Sequence, residues 1–145
     1  YKCHERGNRV MKEQLDRKNI EALAAYRFQR AKETLEEIPY LKQQGYYNTA
    51  VNRLYYACYY AAVALLILHE INPGTHSGVK QMIGLHFVAT GRLSRELGRS
   101  FSLLFERRHS SDYDDFAYSS AEEIDELAPK AAAFIKAVGV LLKEQ

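Results

Sequence analysis

The 145 residues hold 20 Lys and Arg against 18 Asp and Glu, a formal net charge of +2, which is too small to argue for nucleic acid or a membrane surface by itself. The 47% hydrophobic and 26% charged residues are those of an ordinary single globular domain, long enough to bury a core without disulfides or a structural metal. Cys3, near a polar terminus, and Cys58, inside an apolar run, lack CxxC partners, which points to reduced thiols in the cytoplasm rather than to a disulfide or zinc site.

The opening YKCHERGNRV is polar and basic, with no apolar h-region after it, so it does not read as a secretory signal. Residues 1–12 read as a flexible or extra N-terminal arm, with Met11 as an alternative natural start. The folded domain then spans 13–145. From Ile20 the apolar residues Ala24, Phe28, Ala31, Leu35 and Ile38 recur at helical spacing, predicting a long first helix. Asp16 is its expected N-cap and Gly45 its stop, with Pro39 kinking or ending it early because proline removes a backbone donor.

The second helix is expected over about Tyr46 to Glu70. Within it, Leu54 to Leu68 is fifteen apolar residues without a break, including Tyr55, Tyr56, Tyr59 and Tyr60. A membrane span needs about 20 residues, and the tyrosine hydroxyls need partners, so a buried core helix is the better reading. A helix apolar on every side is buried on every side. It is then the central helix of the bundle, or it turns one face to a second subunit. Arg53, at its entrance, needs an anionic partner if it is enclosed; an internal salt bridge within a cluster shared with Asp112 is the expectation.

INPG closes the second helix with a turn. THSGVKQMIGLHFVATG then predicts a shorter third helix, capped by Thr75 or Ser77 and ended by Gly91, with Val79, Met82, Ile83 and Phe87 inward. A fourth starts near Leu93, carries Leu97, Phe101, Leu104 and Phe105, and fades around RRHSSDYDDFAYSS. A fifth begins at Ser119 or Ser120, with Glu122 or Glu123 at a capping-box position. It keeps the seam Ile124, Leu127, Ala131, Ile135, Val138 and Leu142. No β-period appears. The expected fold is all-α: a single-domain, antiparallel up-and-down helical bundle of four to five helices.

YYNTAVNRLYYACYYAAVALL, THSGVKQMIGLHFVATGRLSRELG and RRHSSDYDD, in this order and followed by a last apolar helix, resemble the HEPN domain family over roughly Ile20 to Leu142. The resemblance implies a small all-α bundle that acts as a dimer. Many members are ribonucleases, including toxins paired with a nucleotidyltransferase antitoxin, and their hallmark is an arginine followed four to six residues later by histidine. Others lack that motif and are regarded as nucleotide- or nucleic-acid-binding, or as partners of nucleotidyltransferases. This chain departs from the hallmark. None of its histidines has an arginine at that distance upstream. Asp112 stands where a ribonuclease member would carry histidine, and His109 directly follows Arg108. Metal-free RNA cleavage needs an acid and a base that titrate near neutrality. Histidine does so unperturbed, whereas an aspartate beside arginines is pushed the wrong way.

RRHSSDY is the densest polar constellation. As a site, Arg107 and Arg108 hold phosphate through their planar forks, His109 titrates, Asp112 orients an arginine, and Tyr113 donates or stacks. The competing reading is a helix end, with Arg–Asp pairs across a turn. Arg53, Arg108 and His76 are the candidate nucleotide or phosphate ligands, although His76 also suits a plain capping or turn role. Arg92, Arg95 and Arg99 put a basic stripe on the fourth helix, either an RNA footprint or a solvated face. No histidine pair has metal-ligand spacing with a carboxylate and no Gly-rich phosphate loop occurs, so no metal or cofactor is expected. The leading expectation is a non-catalytic homodimer that binds nucleotide or RNA, pairs with a nucleotidyltransferase in a toxin–antitoxin-like module, or does both. One alternative is a metal-independent ribonuclease toxin with a degenerate motif. The other is a helical interaction module with no nucleic-acid role. None involves a membrane.

Overall fold

The computed structural model describes residues 2–113 and 118–144, with side chains over 16–108 and 118–144. Four long helices form the bundle: α1 (Lys2–Glu36), α3 (Tyr47–Leu68), α5 (Arg95–Tyr113) and α6 (Ala121–Lys143). Two short ones, α2 (Ile38–Gln43) and α4 (His76–Ile83), sit in the connections, and α4 runs into a π-turn over Gly84–Val88. Cross-contacts fix the directions. Arg17 donates to the Leu68 carbonyl while Arg53 reaches Thr34, so α1 and α3 are antiparallel. Arg108 meets Tyr56, and Arg92 meets His69 beyond the other end of α3. Arg107 meets Glu123 while Phe101 packs on Phe134. The path is therefore up, down, up, down, as the helical periods predict.

α1 runs through Asp16 instead of being capped there, and its backbone is helical from Lys2. It breaks at Glu37, two residues ahead of Pro39, and the proline falls in the first turn of α2, where its missing N–H costs nothing. Gly45, at φ +81°, then closes α2. The Tyr46 and Gly45 amides return to the Leu41 and Lys42 carbonyls, a Schellman end.

α3 is the central helix. It packs against α1, α2, α4, α5 and α6, and Leu54, Tyr55, Ala57, Cys58, Ala61, Ala62 and Leu65 are wholly enclosed. Each enclosed leucine contributes roughly 1.5–3 kcal/mol over exposure. α3 is long and apolar enough to cross a membrane by length and composition, yet most of it is covered by its neighbours. It ends in a second Schellman turn, with Ile71 and Glu70 amides returning to the Leu66 and Ile67 carbonyls. The left-handed position is filled here by Glu70, at φ 56°, rather than glycine.

Of the two cap candidates for α4, Thr75 serves: its Oγ1 accepts from the Gly78 amide at 3.0 Å. The third helix does not continue straight to Gly91. It widens into the π-turn, which buries Phe87. α5 begins at Arg95 with Ser94 Oγ accepting from the Leu97 amide. It does not fade at Arg107 but continues to Tyr113. Ser120 caps α6 through the Glu123 amide at 3.2 Å, and α6 passes through Pro129 without ending.

Candidate functional site

One face of α3 is not sealed by apolar neighbours. Tyr55 is buried, but Tyr56, Tyr59 and Tyr60 are only half-buried, with their ring centroids about 6.1 Å apart. Their i, i+3 and i+4 spacing puts them on adjacent turns of one surface. α5 brings Arg108 to this face. Its guanidinium lies 5.7 Å from the Tyr55 ring centre and 5.5 Å from that of Tyr56, and it donates to the Tyr56 hydroxyl at 3.0 Å. The start of α4 brings His76, which stacks flat on Tyr59 at 4.3 Å and 7°. His76 Nδ1 also shares a hydrogen bond of 3.0 Å with the Tyr55 hydroxyl.

These contacts set the chemistry. Burial pushes the Tyr55 phenol well above its ordinary value, against the opposing pull of Arg108. Burial likewise raises Tyr59, opposed by Arg27. Both therefore stay protonated hydroxyls at neutral pH, able to donate and accept but not to act as phenolates. α1 supplies further positive charge: Arg27 lies close enough to Tyr59 to oppose the rise of its phenol, whereas Arg30 is paired with Glu33 at 3.1 Å. Arg27 Nε and Asn52 Oδ1, at this same α1–α3 seam, are buried without a hydrogen-bond partner among the described residues. The assembled surface is an aromatic floor flanked by arginines and one imidazole. Such a surface stacks bases and attracts phosphate.

Of the expected site residues, Arg108 and His76 come together here. Arg107 turns the other way. Its Nε and Nη2 both reach the Glu123 carboxylate, and Nη2 also donates to Ser119 Oγ at 3.0 Å and the Tyr118 carbonyl at 3.2 Å. Glu123 occupies the capping-box position of α6 but spends its carboxylate on Arg107. Arg53 finds its anionic partner in Glu37, at 3.3 Å, with Thr34 beside it. The side chains of His109, Asp112 and Tyr113, and thus the expected sharing of Asp112 by Arg53, lie outside the described residues; their backbone forms the last turns of α5. The basic stripe divides. Arg92 donates to His69 Nε2 at 3.1 Å, while His69 Nδ1 donates to the Leu65 carbonyl. Arg95 and Arg99 line a separate cavity.

Sequence reasoning missed the pairing of Tyr55 with His76 and the laying of Arg108 across two tyrosines. The signal was available in part: Tyr55, Tyr56 and Tyr59 share α3, but only the register of α4 and α5 shows which cations meet them.

Comparison with known proteins bears on the family and the fold. The HEPN domain profile matches residues 24–143. A UPF0332 protein of Thermotoga maritima is 32% identical over 124 residues, covering 86% of this chain and 94% of its own. A protein of Methanocaldococcus jannaschii named "Putative toxin MJ0142" is 35% identical, covering 74% and 73%. The crystal structure of an archaeal HEPN homologue superposes with a TM-score of 0.64 at 20% identity, over 82% of this chain and 97% of that one; this likeness bears on the fold alone.

Proposed function

The chain belongs to the HEPN domain family, and from that premise we propose that it is a homodimer that binds RNA or nucleotide across its tyrosine–arginine face, as the partner of a nucleotidyltransferase. The observation that carries this reading is Arg108, held over Tyr55 and Tyr56 beside the His76–Tyr59 stack. A cation fixed on an aromatic floor offers a phosphate contact and a base platform within one residue of each other. The half-exposed tyrosines also supply an apolar surface suited to a second copy. A specific interface there would bury at least about 1,000 Å² in total. The Asp112 substitution at the hallmark position supports binding over cleavage. Relatives carrying a toxin name support the toxin–antitoxin setting.

The test is a titration of labelled RNA and of ATP at two salt concentrations, with light scattering on the same samples. Wild type should bind, weakening steeply as salt rises, and should scatter as a dimer. Arg108→Ala should bind at least about tenfold more weakly, the loss of one charge-assisted bond, without unfolding. Absence of binding at low salt, or an Arg108→Ala protein that binds like wild type, refutes the reading and leaves a helical interaction module. One observation favours a second reading, the metal-independent ribonuclease. His76 stands in the Arg108 cluster, an imidazole displaced from the motif's own position. Chelator-resistant breakdown of total RNA that is lost in His76→Gln would establish it.

A further inference from the structure

α1 has a second outward edge. Ala25 is two residues from Arg27, about 200° of helix rotation, so it looks away from the tyrosine face that Arg27 approaches. On this side a groove of about 540 Å³ runs between α1 and the C-terminal end of α6. Its walls reach the surface: Ala25 is exposed, and Phe28 and Leu142 are half-buried. Glu21 and Lys32 are the outermost α1 residues that line it, about 16 Å apart along the axis.

The charges on this edge run in an order that reverses into its own complement. Lys18, Glu21, Lys32 and Glu36 are all exposed and read plus, minus, plus, minus along α1. Lys18 and Glu36 stand nine residues either side of Arg27, and Glu21 and Lys32 six and five. All four fall within about 60° of one another around the helix, with Ala25 in the same sector. A second α1 laid antiparallel across a two-fold axis would set Lys18 against Glu36 and Glu21 against Lys32, each pair twice. The same register sets Ala25 against Phe28 and Gln29, small against large. Ala22 and Ala25 put no bulky side chain between the helices, which favours the shorter end of the 8–10 Å range of packed axes. Within one chain these charges have little to meet. Lys18, Lys32 and Glu36 join no ion pair among the described residues. Glu21 meets only Arg17, at 3.4 Å, and its side chain is 58% exposed. Lys32 rests over the Phe28 ring at 5.4 Å, a contact that leaves its charge without a counter-charge.

We propose that this edge is a homotypic interface, in which a second copy of the chain seats its α1 antiparallel along the groove between α1 and α6. The order of the charges selects the occupant, since a copy of the same helix supplies each complement at the required level. The interface is separate from the homodimer proposed at the tyrosine face, and it stands whether or not that face binds RNA or a copy. With both in use, the chain assembles beyond a dimer.

The test reverses charges and follows mass by light scattering over a dilution series from tens of micromolar, with circular dichroism checking the fold. Glu21→Lys and Lys32→Glu each turn two pairs into like-charge contacts, because the axis repeats every contact. Each should raise the dissociation constant at least about tenfold. Glu21 and Lys32 are too far apart to meet within one chain, so recovery can come only through a second copy. The Glu21→Lys/Lys32→Glu double variant should associate like wild type, and the two single variants mixed in equal amounts should recombine one to one. Ala25→Arg, which blocks the groove from an exposed position, should lose the association and not regain it on mixing. Single reversals that keep the wild-type mass, a dimer persisting through the tyrosine face included, would overturn the proposal. So would a wild-type monomer at tens of micromolar, or dissociated single variants that neither recombine nor recover in the double reversal.

Discussion

Replacing Arg107 by alanine separates the two adjacent arginines by function. Arg107 spans α5 to α6, with two donors on Glu123 and further bonds to Ser119 Oγ and the Tyr118 carbonyl. The two side chains are 20% and 25% exposed, between the buried and surface limits. Removing one partner of a fully buried pair costs about 3–5 kcal/mol, and a surface pair is worth about 0–1 kcal/mol. At this exposure Arg107→Ala should lose about 2 kcal/mol. The abandoned Glu123 is partly rehydrated and remains favourably placed in the first turn of α6, which keeps the loss from the buried extreme. A double-mutant cycle with Glu123→Ala, read by urea denaturation, should give a coupling of about 1–2 kcal/mol at an unchanged slope. RNA binding by Arg107→Ala, measured below its unfolding transition, should stay within about threefold of wild type, because the weakest ligand bond worth naming exceeds that. Coupling under about 0.5 kcal/mol, or an Arg107→Ala protein that is stable but does not bind, would refute the structural assignment and return Arg107 to the ligand.

Three other perturbations follow from the geometry. The buried Tyr55 phenol is raised in the folded chain, so above about pH 10 the unfolded chain releases a proton that the folded chain keeps; stability should fall as pH rises through that point, and Tyr55→Phe should flatten the fall in alkaline denaturation curves. Glu70 occupies a left-handed position that suits glycine, so Glu70→Gly should stabilise the fold by about 0.5–1 kcal/mol, less the exposed Arg17 contact at 3.6 Å. Gly139 lets Phe28 lie against α6, and an added Cβ would come within 2.9 Å of the Phe28 ring. Gly139→Ala should therefore cost about 1 kcal/mol, where a solvent-facing helical glycine would gain about that amount; a gain in thermal stability would contradict the packing.

The helical period exposed the bundle because each long helix repeats its apolar residues at a spacing that only a helix gathers on one side. It also singled out α3, where that side widens to the whole circumference. The errors fell where local signals compete with tertiary contacts. RRHSSDY has no apolar period, so it looks like an end, yet its backbone extends α5 to Tyr113. Pro39, by contrast, ends α1 early as expected: it cannot donate to Leu35 and crowds that carbonyl, so the break falls at Glu37 and the proline sits in the first turn of α2. The π-turn inserts a residue's worth of rotation with no signature beyond Gly84. For the site, composition identified arginines and tyrosines as the chemistry, but the partner of each arginine depends on which neighbouring helix it faces. Arg53 takes Glu37, Arg107 takes Glu123, and Arg108 takes aromatic rings. Nothing local distinguishes Arg107 from Arg108; 100° of helix rotation does.

The central position of α3 also bears on how this protein opens. A helix that borders five other segments cannot shed its covering one layer at a time, since lifting any single neighbour leaves the others in place. Amide protons between Leu54 and Leu66 should then exchange with solvent only when the whole chain comes apart, at the slowest rate in the molecule. Those of α2 and of the α4–π segment, which are short and peripheral, should exchange through small local excursions. The tyrosines would thus be mounted on the last element to yield, beneath segments that can breathe without it, so a ligand can meet a mobile rim over an immovable base.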